Sequence, residues 1–273
     1  MDKASIFYHD IFDFPLSRQD FVKWSCRAGS RFARKVEIVN KSGYFFVKGR
    51  EDEINKRISR KKTSAKKMKI AKRASKIISR VPTVKMVAVT GSLAMMNAGI
   101  NSDIDLMIIT KRGTLWTSRA FVYLLICLFD IKLRRPNELA QKDKLCLNIW
   151  IDESDLNWSK ADRNVYTAHE IAQIVPLVNK NNTYERFLYQ NRWILKFWPN
   201  AVGIRNQESG SKNLKYESMI HDSFPLIQLL EKLAFWFQYQ YMRSKLTRET
   251  VTKTRALFHP QDWGKIVLSR FTT

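Results

Sequence analysis

The fold is decided by the stretch Val87-Ala-Val-Thr-Gly-Ser92 and, ten residues later, Asp103-Ile-Asp105-Leu-Met-Ile-Ile109. Successive side chains on a strand point to opposite faces, so Asp103 and Asp105 are expected to share one face at the start of an apolar strand. Two carboxylates placed in this way can hold hard divalent cations together. Mg²⁺ prefers such oxygen ligands, supplemented by phosphates and water. Asp103 and Asp105 are therefore candidate metal ligands.

Gly91 and Ser92 follow a first predicted strand, Lys85–Thr90, at the point where that strand ends. A glycine allows the backbone to approach a ligand closely, and a serine hydroxyl can donate to a phosphate oxygen. Residues 93–98 favour a helix, whose first N–H groups would add to an anion site. This turn is therefore predicted to bind phosphate.

The arrangement resembles the signature of the DNA polymerase β-like nucleotidyltransferase superfamily, a Gly-Ser after one strand and an Asp-x-Asp opening the next. The resemblance covers residues 85–110. It implies an α+β fold with a small mixed sheet, and transfer of a nucleotidyl group from an NTP to a hydroxyl, using two Mg²⁺ ions. Asp103 and Asp105 would then be metal ligands, while Gly91 and Ser92 would hold the triphosphate. The competing interpretation is a solvated turn before a strand.

The sequence departs from this pattern at a third carboxylate, which polymerase-like members carry on a later strand and which is thought to activate the attacking hydroxyl. The matching strand, Leu145–Asp152, has Asn148 at that position, with Trp150 and Asp152 predicted on the same face. An amide cannot act as a general base, although it can orient substrate or metal-bound water. Three possibilities stay open: two carboxylates suffice, Glu153 or a distant residue supplies the base, or activity is reduced.

The net charge of +23 comes from forty-eight Lys and Arg against twenty-five Asp and Glu. Such a field attracts polyanions, nucleic acid first and anionic membrane second. Twelve basic residues and no acidic one lie between Lys56 and Arg80. Apolar residues at mostly three- and four-residue spacing predict one long helix here with a narrow buried stripe; they are Ile54, Ile58, Ala65, Met68, Ala71, Ala74 and Ile78. A phosphate-binding face is favoured over a merely solvated one, because unrelieved like charge destabilises a helix.

The cysteines and the longest apolar run indicate the compartment. Cys26, Cys127 and Cys146 are odd in number and widely spaced in apolar surroundings, which predicts buried thiols rather than disulfides or a zinc site. The run Ala120–Phe129 is too short to span a bilayer and is typical of a buried helix. The N-terminus lacks a signal-peptide core. We therefore expect a soluble, cytoplasmic protein.

Four segments are predicted along the chain: an N-terminal module (1–50), the basic helix (51–82), a nucleotidyltransferase core (83–155) and a helical C-terminal domain (156–273). In the first, the helix Ser5–Asp13, a capping box at Ser17 and a hairpin turning at Asn40–Gly43 resemble a winged helix, whose recognition helix would fall at Cys26–Lys35. A packing appendage for the core is an equally open interpretation of this module.

In the C-terminal segment we expect two helices, Tyr166–Val175 and Tyr184–Phe197, then a polar linker at 203–215. The apolar stretch Pro225–Lys245 is expected in the core. No role is assigned to His169 or His259, which lack a partnered cluster. Arg119 is interpreted as a surface arginine.

The preferred function is Mg²⁺-dependent nucleotidyl transfer from an NTP to a hydroxyl acceptor, with nucleic acid as a partner through Lys56–Arg80. The alternative is a nucleic-acid-binding protein whose transferase fold is degenerate and inactive. Asn148 favours this alternative, whereas the intact residues Gly91, Ser92, Asp103 and Asp105 oppose it. A third possibility, a small-molecule modifier similar to aminoglycoside nucleotidyltransferases, leaves the net charge unexplained.

Overall fold

The structure is a computed structural model that describes most of the chain, in the ranges 3–27, 37–135, 138, 140–203, 225–244, 246–258 and 262–272. The proposed recognition helix at 26–35 and the polar linker at 203–215 lie almost wholly outside these ranges, and His259 lies outside them. No structural statement is made about those residues.

The N-terminal region combines two helices with a small sheet. The elements are α1 (Lys3–Asp10), β1 (Leu16–Ser17), α2 (Arg18–Lys23), β2 (Ile38–Lys41) and β3 (Tyr44–Val47), with β3 between β1 and β2. Ser17 and Asp20 form the predicted capping box at the start of α2. Ser42 and Gly43, both with positive φ, make the tight turn of the predicted hairpin. A winged-helix identity stays a prediction.

Helix α3 (Asp52–Ile78) is the long basic helix predicted from the charge run. Its buried stripe differs from the expected one, because Ile58 and Ala65 are exposed. The buried positions at three-, four- and seven-residue spacing are 53, 57, 64, 67, 71, 74 and 78, of which the first four are polar. Their polar groups have partners: Ser64 Oγ, for example, accepts from the N–H of Ala98 at 2.9 Å. A search for apolar periodicity therefore misplaces the first half of the stripe.

A six-stranded mixed sheet forms the centre of the molecule. Along the chain come β4 (Val84–Val89), α4 (Gly91–Ala94), β5 (Ile104–Thr110), α5 (Leu115–Leu128), β6 (Leu145–Asp152), α6 (Val165–Ala172), β7 (Val175–Asn179), α7 (Thr183–Gln190), α8 (Pro225–Arg243), β8 (Thr250–Val251), β9 (Arg255–Leu257) and α9 (Trp263–Thr272). The strand order is β7-β4-β5-β6-β9-β8, with only β5 and β6 parallel among these neighbours. A parallel pair requires a crossover, and α5 provides it. The mixed sheet confirms the predicted α+β class.

The sheet divides the interior into two apolar clusters. One contains Met107 and Ile109 of β5 and packs against α1, α6 and α9. The other contains Leu106 and Ile108 and packs against α3 and α5. This alternation along β5 places Asp105 on the face of the first cluster. The candidate site therefore lies between the sheet and the N-terminal and C-terminal helices.

The C-terminal part of the chain is less helical than predicted. Val175 and Pro176 belong to β7 and not to the helix before it, which ends at Ala172. The expected helix at 184–197 is divided at Asn191 into α7 and a 3₁₀ turn, Arg192–Lys196. Strands β7, β8 and β9 thus join the central sheet although they follow residue 155. The four segment limits stay a prediction.

Helices α5 and α8 are much more exposed than their composition predicted. On α5, Phe121 is 58 % and Leu128 69 % exposed, although this run was expected to be a buried helix. On α8, Trp236 and Phe237 are exposed, and Met242 is its only buried residue, although a core position was expected. In the described residues no helix combines the length and apolarity needed to cross a membrane.

Candidate active site

The turn from β4 into α4 approaches the second aspartate very closely. Gly91 has φ +58°, a left-handed conformation that favours glycine. A Cβ at this position would lie 2.9 Å from Oδ2 of Asp105. The helix predicted at 93–98 is wrong in extent, because α4 is a single turn that ends at Ala94. Ser92 is exposed beside Gly91 and lines the same cavity as the aspartates.

Asp103, Asp105 and Cys146 converge at the start of β5 and β6. One potential ligand atom from each lies within 4.8 Å of the other two. Asp103 Oδ2 accepts a hydrogen bond from Arg134 Nη1 at 2.7 Å. Burial and the two carboxylate charges raise the pKa of the Cys146 thiol well above its usual range, so the thiol stays protonated at neutral pH. The oxygen atoms of Asp103 and Asp105 therefore fit a hard divalent cation better than the sulfur does.

Asn148 lies in hydrogen-bond contact with Asp105. Its Nδ2 donates to Asp105 Oδ1 at 2.8 Å, and its Oδ1 is buried without a hydrogen-bond partner among the described residues. The pairing of β5 with β6 shifts register between Asp105 and Met107, which adds one residue to β6. As a result Asn148 and its neighbour Ile149 both line the cavity. The amide nitrogen of Asn148 therefore faces the Asp105 carboxylate.

The same bulge corrects the predicted face of β6. Trp150 packs in the cluster on the opposite side of the sheet, together with Leu147. Asp152 accepts from the N–H groups of Gly113 and Ser154 and is absent from the cavity wall. These two side chains therefore do not share the face of Asn148, as strict alternation had predicted.

The other candidate bases and basic residues have structural contacts. Glu153 pairs with Arg186 and does not line the cavity. Arg119 is no simple surface arginine: its guanidinium donates to Gln238 and lies over the ring of Tyr123 at 4.7 Å.

A cavity of about 510 Å³ connects the motif residues with helix α6. Gly91, Ser92, Asp103, Asp105 and Asn148 all line it. The wall from the C-terminal part of the chain adds Tyr166, His169, Glu170 and Gln173. The structure thus places every motif residue at one cavity, and adds a carboxylate that the motif did not predict.

Two carboxyl groups in the cavity hold protons more tightly than usual. Burial, followed by the Asp103 charge, raises the pKa of Asp105 to about 7, while Arg134 opposes the rise. Burial, followed by the Asp105 charge, raises the pKa of Glu170 to about 7. Gln173 Nε2 donates to Glu170 Oε1 at 2.6 Å. A divalent cation on the aspartates would stabilise their charged form.

His169 has a partner after all. Its Nε2 lies 3.2 Å from Nε2 of His9, whose Nδ1 contacts the carbonyl of Ser5 at 2.8 Å. Burial lowers the pKa of His9 to about 4 and that of His169 below its usual range. Both rings are therefore neutral at pH 7. They join α1 to α6 and form an uncharged wall of the cavity.

A comparison with protein families identifies part of the chain. A family model described as a nucleotidyltransferase domain matches residues 68–162. This segment is a nucleotidyltransferase domain. The match supports membership of the polymerase β-like superfamily and includes both aspartates and the Gly91-Ser92 turn. The chain has no significant match among curated proteins or among solved structures.

Glu170 lies beyond the end of the matched nucleotidyltransferase domain, and motif reasoning missed it. It sits within the helix predicted from Tyr166, between His169 and Ile171, without any motif around it. The only available signal was an acidic residue on a helix whose neighbours at 168, 171 and 172 are apolar. Arg134 was missed for a similar reason, because it follows the crossover helix in an irregular basic segment.

We expect Gly91→Ala to reduce the rate of nucleotidyl transfer by about 10-fold, because its Cβ would displace the Asp105 carboxylate by a few tenths of an ångström, and a displacement of about 1 Å can cost about 100-fold. The left-handed backbone would also reduce the free energy of unfolding by about 1–2 kcal/mol. Gly99→Ala is the matched control, since a Cβ there meets no atom within 4 Å. Steady-state rates and thermal unfolding measure both effects. An unchanged rate in Gly91→Ala would show that this close approach is not needed.

Proposed function

We propose that the protein is a Mg²⁺-dependent nucleotidyltransferase that transfers a nucleotidyl group from an NTP to a hydroxyl acceptor. The observation that carries the proposal is the convergence of Asp103 and Asp105 beside the Gly91-Ser92 turn, at one cavity of a nucleotidyltransferase domain. The raised pKa of Asp105 adds support, because two crowded carboxylates form a site that a cation would stabilise.

Each motif residue has a proposed task in this reaction. When bound, Mg²⁺ would neutralise phosphate charge and align the attacking and leaving oxygens. Asp103 and Asp105 are the residues that would hold it. Gly91 leaves room for the Asp105 carboxylate beside the turn, and the exposed hydroxyl of Ser92 can donate to a phosphate oxygen. Asn148 holds Asp105 in place through its amide hydrogen bond.

Glu170 is our candidate for the general base that Asn148 cannot provide. It lines the same cavity as the aspartates, and after burial the charge of Asp105 contributes most to its raised pKa. A pKa of about 7 allows a carboxylate to accept a proton at neutral pH and to release it afterwards. The acceptor hydroxyl would lose its proton to Glu170 as its oxygen attacks the α-phosphorus of the NTP, and the bond from that phosphorus to the bridging oxygen would break to release pyrophosphate.

The direct test incubates purified full-length protein with each of the four NTPs labelled at the α-phosphate, with Mg²⁺, and with or without cellular RNA. Transfer predicts label on an acceptor and release of pyrophosphate in equal amounts. The Asp103→Asn variant is the control for contaminating activity. If no acceptor is labelled while Mg²⁺-NTP still binds, the inactive alternative is supported instead.

We propose nucleic acid as the partner of the basic outer face of α3. Lys61, Lys62, Lys66 and Lys69 are all exposed on this helix. The inner face of the same helix holds the segment between the two motif parts: buried Lys67 Nζ donates to the carbonyls of Ile100 and Ser102 and to Asp143. A phosphate backbone bound along the outer face of α3 would therefore be separated from this segment by the width of one helix, about 10 Å.

We expect the quadruple reversal of Lys61, Lys62, Lys66 and Lys69 to Glu to weaken nucleic-acid binding sharply and to flatten its salt dependence. Removing one lysine–phosphate ion pair reduces the log–log salt slope by about 0.9 on duplex DNA and about 0.7 on single strands. Mg²⁺-NTP binding should persist, because it depends on a local site.

The matched control for this reversal makes the same change in net charge at four scattered, exposed lysines: Lys41, Lys160, Lys196 and Lys265. Fluorescence anisotropy across a salt series compares the two variants with the original protein. An equal decrease in affinity in both would mean that the overall charge matters and not the face of α3.

A cytoplasmic location stays part of this proposal.

A further inference from the structure

Helices α5 and α8 together present an exposed surface of large apolar side chains, which we call the apolar helix surface. Its central members are Phe121, Leu124 and Leu128 of α5 and Leu230, Leu233 and Phe237 of α8, all between 44 % and 69 % exposed. With about 200 Å² for a fully exposed large side chain, these six residues present on the order of 700 Å². The largest apolar patch of a typical monomer covers about 300–600 Å².

Helix α8 is attached to α5 by specific polar contacts, so the exposure of its apolar residues does not result from loose packing of the helix. Glu231 on the inner side of α8 accepts from the N–H groups of Trp116 and Thr117 at 2.7 and 2.9 Å. Gln238 Nε2 donates to the carbonyl of Trp116 at 2.8 Å. One face of α8 is thus anchored on the first turn of α5 by polar contacts. The apolar residues on the opposite face are left in contact with solvent.

The spacing of the exposed residues is typical of helices that pack against other helices. On α8 the positions 226, 230, 233 and 237 follow one another at four, three and four residues. On α5 the positions 121, 124 and 128 follow at three and four residues. A helix that is apolar on two opposite faces is normally buried on both.

We propose that the apolar helix surface binds a second copy of this chain, forming a dimer with a two-fold axis across four helices. The apolar area of these six residues is close to the roughly 800 Å² that each partner buries in a standard interface. The molecule has a net charge of +23, but α8 carries little charge, so two copies can approach each other at this surface. Between residues 226 and 242 the charged residues are Glu231 and Lys232. Glu231 is turned toward α5. A two-fold interface brings the same surface of both copies together.

The low charge of the two helices favours a protein partner over a lipid surface. Helices that lie on membranes are typically rich in Lys and Arg on their polar face. Here α5 carries one basic residue, Arg119, which is engaged with Gln238. A lipid surface is therefore the competing occupant that the experiment must exclude.

The test is sedimentation velocity of the full-length protein over a concentration series, in which the expected mass is twice the 32.1 kDa of one chain. The double variant Leu230→Glu, Phe237→Glu should raise the dissociation constant by roughly 100-fold or more, because two charges per copy would be buried at the interface. Val22→Glu, on the similarly exposed Val22 of α2, is the control and should stay dimeric. Circular dichroism should show both variants folded, since the substituted residues are exposed.

Three results would overturn the proposal. The original protein could sediment as a monomer throughout, or the double variant could remain a dimer as tight as the original. The third is a monomer that co-sediments with phosphatidylserine–phosphatidylcholine vesicles and loses this binding on the double substitution, which would assign the surface to lipid.

Discussion

Asp103→Asn and Asp105→Asn are each expected to reduce nucleotidyl transfer by about 1,000-fold or more and to abolish Mg²⁺-dependent NTP binding. Each substitution removes a negative charge and an oxygen ligand from a pair that would hold the cation together. The fold should persist, because an asparagine at position 105 keeps an oxygen that accepts from Asn148 Nδ2. The effect is therefore on the site and not on the structure.

The stability of the metal-free variants supplies an independent check on Asp105. Its folded-state pKa, about 7, lies above its ordinary value, so the folded protein loses stability as pH rises from about 4 to about 7. Asp105→Asn removes this loss, and we expect the metal-free variant to be at least as stable as the original at pH 8. Calorimetric titration with Mg²⁺ and a non-hydrolysable NTP, together with thermal unfolding, measures both properties. Undiminished nucleotide binding in both variants would refute the assignment.

Glu170→Gln is expected to reduce the rate of transfer by about 100- to 10,000-fold, the usual range for loss of general-base assistance. An amide keeps the size and can still bond to Gln173, but it cannot accept a proton. NTP binding should change little, which separates this variant from the aspartate variants. At saturating Mg²⁺, which holds Asp105 in its charged form, the rate of the original protein should rise with pH up to about 7 as Glu170 loses its proton, and this rise should be absent in the variant.

Asn148→Asp tests whether the third acid has moved from β6 to α6. This substitution would place a carboxylate at 2.8 Å from Asp105 and should destabilise the metal-free protein by about 1–3 kcal/mol. In the Glu170→Gln background it should restore part of the lost rate and increase the Mg²⁺ affinity. No loss in Glu170→Gln alone would remove Glu170 from the mechanism. A loss without any rescue would mean that position 148 cannot serve as the base.

Much of the catalytic half of the molecule could be predicted from the sequence, because the patterns that define it lie within short stretches of the chain. An apolar strand, a Gly-Ser turn and an Asp-x-Asp are recognisable within residues 85–110, and the structure brings them to one cavity. The bulge in β6 was not predictable by alternation, because one extra residue reverses the faces of all those that follow. The position of Glu170 depends on how α6 packs on the sheet, and no local sequence pattern determines this packing.

The errors outside the site have three separate physical causes. Apolar periodicity predicts that a helix face is buried but does not show which element covers it. For this reason α8 was predicted in the core, although its apolar residues are exposed. Polar residues with satisfied hydrogen bonds can occupy a buried stripe, as Lys67 and Ser64 do on α3. A proline normally ends a helix or a central strand, but Pro176 lies in β7 at the edge of the sheet, where one missing N–H is tolerated.

The position of that proline affects how the molecule can aggregate. The long apolar strands β4, β5 and β6 each have a neighbour on both sides, so their backbone groups are not available to another chain. The outermost strands are poor templates for strand addition: β7 carries Pro176, and β8 has two residues. Growth of extended β-structure from the central sheet is thereby disfavoured at both margins. The two-fold contact proposed for the apolar helix surface would likewise close at two copies and not propagate.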